Sequence, residues 1–104
     1  MKYEVYITET AREEVRQIAY YLKHVLKSDQ ACNNFKVKFK HQVDLITEMP
    51  ELYGISQIPV ATNAEYRVAP VNNYVILYLF ENDVVTIGHV FHGSQNYGRY
   101  IYEE

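Results

Sequence analysis

Two residues of this chain stand out as able to do chemistry, Arg67 and His92. Both fall in the stretch from Glu65 to His92, which otherwise reads as apolar strand. The planar guanidinium of Arg67 could clamp a phosphate through two parallel hydrogen bonds. It serves equally well to pair with Glu65 or with an acidic residue of a partner. The imidazole of His92 titrates near neutral pH and can give or take a proton, although a histidine at a strand end is more often a hydrogen-bonded structural residue. Tyr97, Arg99 and Tyr100 follow closely and could stack on a base or touch phosphate. His89 lies three residues before His92, so strand alternation puts it on the opposite face, as packing. Two histidines on opposite faces do not make a metal site, and no acidic or thiol cluster completes one.

The elements that must position these groups can be read from periodicity and turn residues. Asn72-Asn73 and Asn82-Asp83 tolerate the positive φ of hairpin turns, and they divide residues 65–92 into three short strands. Between them, Tyr74 to Phe80 is mostly β-branched or aromatic. Upstream, Lys2 to Thr8 alternates as a strand. Thr10 and Glu13 fit a capping box opening a helix whose apolar face is Val15, Ile18, Ala19, Leu22, Val25 and Leu26. Ser28-Asp29 breaks that pattern and can cap a second helix, from about Gln30 to Met49, which Pro50 stops. Its stripe is Ala31, Phe35, Phe39, Val43 and Ile46. Residues 51–64 read as loop. The predicted fold is therefore α+β, in the order β-α-α-β-β-β. One mostly antiparallel sheet carries a helical hairpin on one face, and its other face is left open for a ligand or partner.

The chain has 104 residues, enough for one domain spanning 1–104 with one core. Its single cysteine rules out an internal disulfide and suits a reducing cytosol. No run is long or apolar enough for a signal peptide or membrane span. Net charge is −3, unevenly spread. Residues 1–50 hold eight Lys or Arg against seven Asp or Glu, while residues 51–104 hold only Arg67 and Arg99 against six acids. That half lacks the cationic surface that nucleic-acid binding usually needs.

The ordered set Tyr3-Glu-Val-Tyr-Ile-Thr8 with Ala11, Met49-Pro50-Glu51, Tyr66-Arg67-Val68, Val71-Asn-Asn-Tyr74 through Tyr78, and Val85-Thr-Ile87 leading to Val90-Phe-His-Gly93 resembles the RelE/ParE superfamily of bacterial type II toxins. The resemblance covers nearly the whole chain. It implies a small cytoplasmic toxin that a cognate antitoxin neutralises by folding around it. In the RelE-like branch the toxin cleaves mRNA in the ribosomal A site without metal or other cofactor. In the ParE-like branch it poisons DNA gyrase.

For the nuclease branch, Arg67 matches the family's strand arginine; His92 is the acid–base candidate by its chemistry, Glu51 the candidate carboxylate, and Tyr97, Arg99 and Tyr100 the candidate substrate contacts. His92 would move the proton and Arg67 would stabilise phosphoryl charge. Glu51 lies near a loop where some relatives carry a catalytic carboxylate. Two departures pull the other way. Gln95-Asn96 stands where many relatives have Arg-Asp, and residues 51–66 contain no Lys or Arg. The acid–base candidate favours a ribosome-dependent mRNA endonuclease. The alternatives are a ParE-like gyrase poison and a decayed or recruited non-toxic interaction domain. A tyrosine-rich sheet face could also support a weak homodimer. The nuclease reading requires Arg67 and His92 to emerge together on the uncovered side of the sheet.

Overall fold

A computed structural model describes residues 2–55 and 65–93. The chain begins with β1 (Glu4–Ile7) and α1 (Glu9–Tyr20), which continues into a π-helical turn, Tyr21–Val25. Next come α2 (Asp29–Glu48), β2 (Arg67–Val71), β3 (Tyr74–Glu81) and β4 (Val84–His92). The strands form one mixed sheet in the order β1-β4-β3-β2. β1 runs parallel to β4, and the other pairings are antiparallel. The expected α+β order holds, and Asn72, Asn82 and Asp83 have positive φ at the two tight turns.

The caps show where local signals compete. Thr8, rather than Thr10, caps α1. A hydroxyl can accept and donate at once, and Thr8 Oγ1 accepts from the Ala11 N–H at 3.1 Å while donating to the Gly88 carbonyl at 3.1 Å. It thereby ties the helix start to β4, which Thr10 in the first turn does not do. Ser28 caps α2 as its position suggests, accepting from the Ala31 N–H at 3.0 Å.

The main core lies between sheet and helices, around Phe35, Ile46, Ile76, Tyr78, Val85 and Ile87. Leu22, on the predicted stripe of the first helix, is buried there, but Val25 and Leu26 are exposed. The reason is the π-turn. The Leu26 N–H reaches back five residues to the Tyr21 carbonyl at 3.0 Å, and the wider turn carries the following side chains off the stripe.

The sheet face away from the helices is not bare. Leu77 and Phe91 are buried on it, with Tyr66, Val68 and Val75 packed around them. His89 belongs to this face, its ring stacked on Phe91 at 5.2 Å. The register between β3 and β4 shifts at Leu77/Tyr78, leaving Gly88 as the extra residue. A Cβ there would stand 3.1 Å from the Tyr66 ring, so the bulge glycine lets Tyr66 lie across the strand.

Candidate functional site

Arg67 opens β2 directly opposite Tyr78. Tyr78 is fully buried in the helix-side core, as are Ala69 and Val71, two and four residues after Arg67. Strand alternation therefore places Arg67 on the helix side. There α2 has already ended, and residues 49–55 fill the space. Arg67 Nη1 donates to the Tyr53 carbonyl at 2.7 Å. Beside it the Tyr78 hydroxyl donates to the Pro50 carbonyl at 2.7 Å. Burial raises the Tyr78 phenol above its ordinary pKa, and the Arg67 charge pulls it back in part. Gln42, buried on α2, donates through Nε2 to the Tyr53 hydroxyl at 2.9 Å and to the Pro70 carbonyl at 2.6 Å. Glu51 is exposed on this same loop.

His92 closes β4 opposite Tyr74, which packs against Phe35 of α2. It too faces the helices. Its exposed ring meets Tyr74 edge-on at 5.3 Å, at the mouth of a groove of about 930 Å³. Tyr21, Leu26, Phe35 and Tyr74 supply apolar lining, and Glu14 lies at its β4 side. Burial, and secondarily the neighbouring Tyr21, raise the Tyr74 phenol. One oxygen of Glu14 accepts from the Val90 N–H at 2.9 Å and stands 3.5 Å from His89 Nδ1.

Arg67 and His92 thus share a side of the sheet, but it is the covered side, and they are set apart along β3 and on opposite flanks of it. Their partners Tyr78 and Tyr74 are four residues apart on β3, and each lies one strand away from it. With about 3.4 Å per residue and about 4.8 Å per strand, their Cα atoms are roughly 17 Å apart. The expected meeting of guanidinium and imidazole on an open face does not form. Tyr97, Arg99, Tyr100 and the Gln95-Asn96 pair lie outside the described residues.

Two residues that organise these regions escaped the sequence reading, although each left a signal. Glu14 falls at helical spacing with Ala11 and Ile18, and Gln42 with Phe39 and Ile46. A polar side chain inside an apolar stripe marks a buried hydrogen bond. Among the described residues no three His, Cys, Asp or Glu side chains are grouped to hold a metal. No helix among them is long and apolar enough to cross a membrane.

Residues 5–97 match the family model described as the ParE toxin of the type II toxin–antitoxin system, parDE. The chain belongs to this family. It is a type II toxin of the RelE/ParE group. Among solved structures, this ParE-family chain is similar to a double mutant of Escherichia coli toxin RelE in the free state, with 16% identity and TM-score 0.60, covering 99% of this chain and 96% of that one. It is also similar to a chain of the RelBE2 toxin–antitoxin complex of Mycobacterium tuberculosis, with 21% identity, TM-score 0.56 and coverage of 88% and 99%. The archaeal RelE–RelB complex of Pyrococcus horikoshii OT3 matches at 15% identity and TM-score 0.57, covering 91% and 99%. At these identities the structures speak for the fold alone. No curated protein sequence matches the chain significantly.

Proposed function

We propose that this ParE-family toxin acts in the cytoplasm by binding a protein target, DNA gyrase, and carries out no chemistry of its own. The observation that carries this reading is the separation of Arg67 from His92. General acid–base chemistry on a phosphodiester needs the proton-transfer group within about 2.6–3.2 Å of the reacting oxygen, with the stabilising cation on the same phosphate. Here the guanidinium is held by the Tyr53 carbonyl, four residues along β3 and two strands across from the imidazole. The excess of acids over bases in residues 51–104 supports the same reading, because phosphate-rich partners favour cationic faces. In a supercoiling assay, purified toxin is expected to inhibit gyrase and trap its cleavage complex. Full supercoiling at excess toxin would count against gyrase.

One observation favours the nuclease reading, the exposure of the His92 imidazole. In that scheme His92, Arg67 and Glu51 act on ribosome-bound mRNA, with Tyr97, Arg99 and Tyr100 as contacts. Toeprinting on translating ribosomes tests it: cleavage by wild type that His92→Ala abolishes would establish it over the binding reading. Growth arrest on induction would exclude a non-toxic interaction domain. Two of the similar structures are toxin–antitoxin complexes, and we assign this chain a cognate antitoxin as well. Its amphipathic segment would fold into the groove beside Tyr21, Leu26 and Tyr74.

A further inference from the structure

We infer that residues 48–55 form a preorganised docking surface for an apolar segment of the toxin's protein target, flanked on that target by lysine or arginine. The inference rests on the binding reading above and places its contact. Met49, Leu52 and Ile55 are three large apolar side chains within seven residues, and they are 47%, 48% and 42% exposed. Apolar residues scattered singly on a surface carry no message, but three exposed on one short hydrogen-bonded segment are a denser set than chance scatter.

What sets this set apart is the rigidity of the backbone beneath it. The Tyr78 hydroxyl holds the Pro50 carbonyl, and Arg67 holds the Tyr53 carbonyl. Gln42 holds the Tyr53 hydroxyl. The Met49 N–H reaches the Leu45 carbonyl at 2.9 Å, and the Leu52 N–H reaches the Met49 carbonyl at 3.1 Å. Ile55 then bridges to Arg67 across the start of β2. Polar side chains from the core and its margin are thus committed to fixing a loop three of whose apolar side chains are exposed. A surface fixed in advance loses less conformational entropy on binding.

Charge selects the kind of occupant. Glu48 and Glu51 are exposed beside the apolar residues; among the described residues, Lys2 is brought near Glu48 by the Tyr3 N–H to Thr47 carbonyl bond, and Arg67 is turned to the loop backbone. The described rim is therefore acidic on balance, two carboxylates against one exposed ammonium. It repels nucleic acid and suits a protein segment with basic flanks. Arg67 is in this account a positioning residue, holding the loop on which the target sits.

The test compares wild type with Leu52→Asp and with the double variant Glu48→Lys/Glu51→Lys, each carrying exposed substitutions only. We expect Leu52→Asp to raise the toxin concentration for half-inhibition of gyrase at least tenfold and to abolish growth arrest. The double variant should weaken inhibition in the same direction, with the loss growing smaller at high salt. Thermal midpoints and capture of the co-expressed antitoxin should be unchanged. Equal potency of Leu52→Asp and wild type would overturn the inference. So would loss of antitoxin capture, which would give the surface to the antitoxin. Sedimentation showing a wild-type dimer that Leu52→Asp splits would give it to a second copy. If wild type arrests growth but leaves gyrase untouched, gyrase is the wrong target. The surface is then judged by growth arrest alone: arrest lost in Leu52→Asp supports it, and arrest retained overturns it.

Discussion

The regions around Tyr78 and Tyr74, four residues apart on β3, lie on the same side of the sheet, yet they are built on opposite plans. Around Tyr78, α2 has stopped at Glu48, and the returning chain is clamped by polar donors onto its own carbonyls. Around Tyr74, the π-turn carries the first helix wide, and aromatic rings line an open groove. The first region is closed by hydrogen bonds that lose their worth if one partner is deleted. The second is shaped by apolar contact and has room to accept a partner. An arginine in the closed region and a histidine in the open region therefore face different tasks, although strand parity puts them on one side.

The sharpest way to break this contrast is to remove the closed region's keystone. Tyr78→Ala takes a fully buried ring from the core and should cost about 3–5 kcal/mol, the range for deleting a large buried aromatic. Against a total of about 5–15 kcal/mol for a typical domain, urea unfolding would show a marginal or unfolded chain. Tyr78→Phe keeps the ring but leaves the Pro50 carbonyl buried without its donor, for about 1–3 kcal/mol. A loss as large as that of the alanine variant would mean that the hydroxyl, not the ring, dominates.

Arg67 separates the two plans functionally. Arg67→Ala should raise hydrogen exchange at the amides of residues 50–54 and weaken toxicity, while Arg67→Lys, whose ammonium can still donate to the Tyr53 carbonyl, should recover part of both. Toxicity lost with loop exchange unchanged would return Arg67 to a direct role on the target or substrate. In the open region, His92→Ala should shift stability by no more than about 0.5 kcal/mol, as for exposed positions generally, and leave gyrase inhibition intact.

The smallest effect is in pH. Burial raises the folded-state pKa of Tyr78 and Tyr74 above their ordinary value of 10.0. The unfolded chain then releases these protons first, so the stability they contribute is complete below about pH 10 and is lost as pH rises through the folded values. Urea midpoints should fall from about pH 10 upward, less steeply in Tyr78→Phe than in wild type. A fall centred below pH 9 would point to a different group.

Much of this was legible in the chain itself. Asn82-Asp83 marked its hairpin because positive φ is a local demand met by few residue types. Ser28 marked the second helix start for the same kind of reason. Thr8 was missed as a cap because its advantage over Thr10 depends on Gly88, eighty residues away. Val25 and Leu26 were misplaced because a π-turn changes helical phase without an obvious residue signature.

Element order, turn positions, the first helical stripe up to Leu22, the second stripe and the family likeness follow from neighbours within a few residues, where sterics and periodicity act directly. The placement of Arg67 and His92 does not. Alternation relates side chains within one strand, but which side becomes interior depends on where the helices pack and on the bulge that resets phase at Gly88. Those are contacts between distant segments, made by burial of apolar area, and they alone sent the guanidinium beneath a loop and the imidazole to the mouth of a groove.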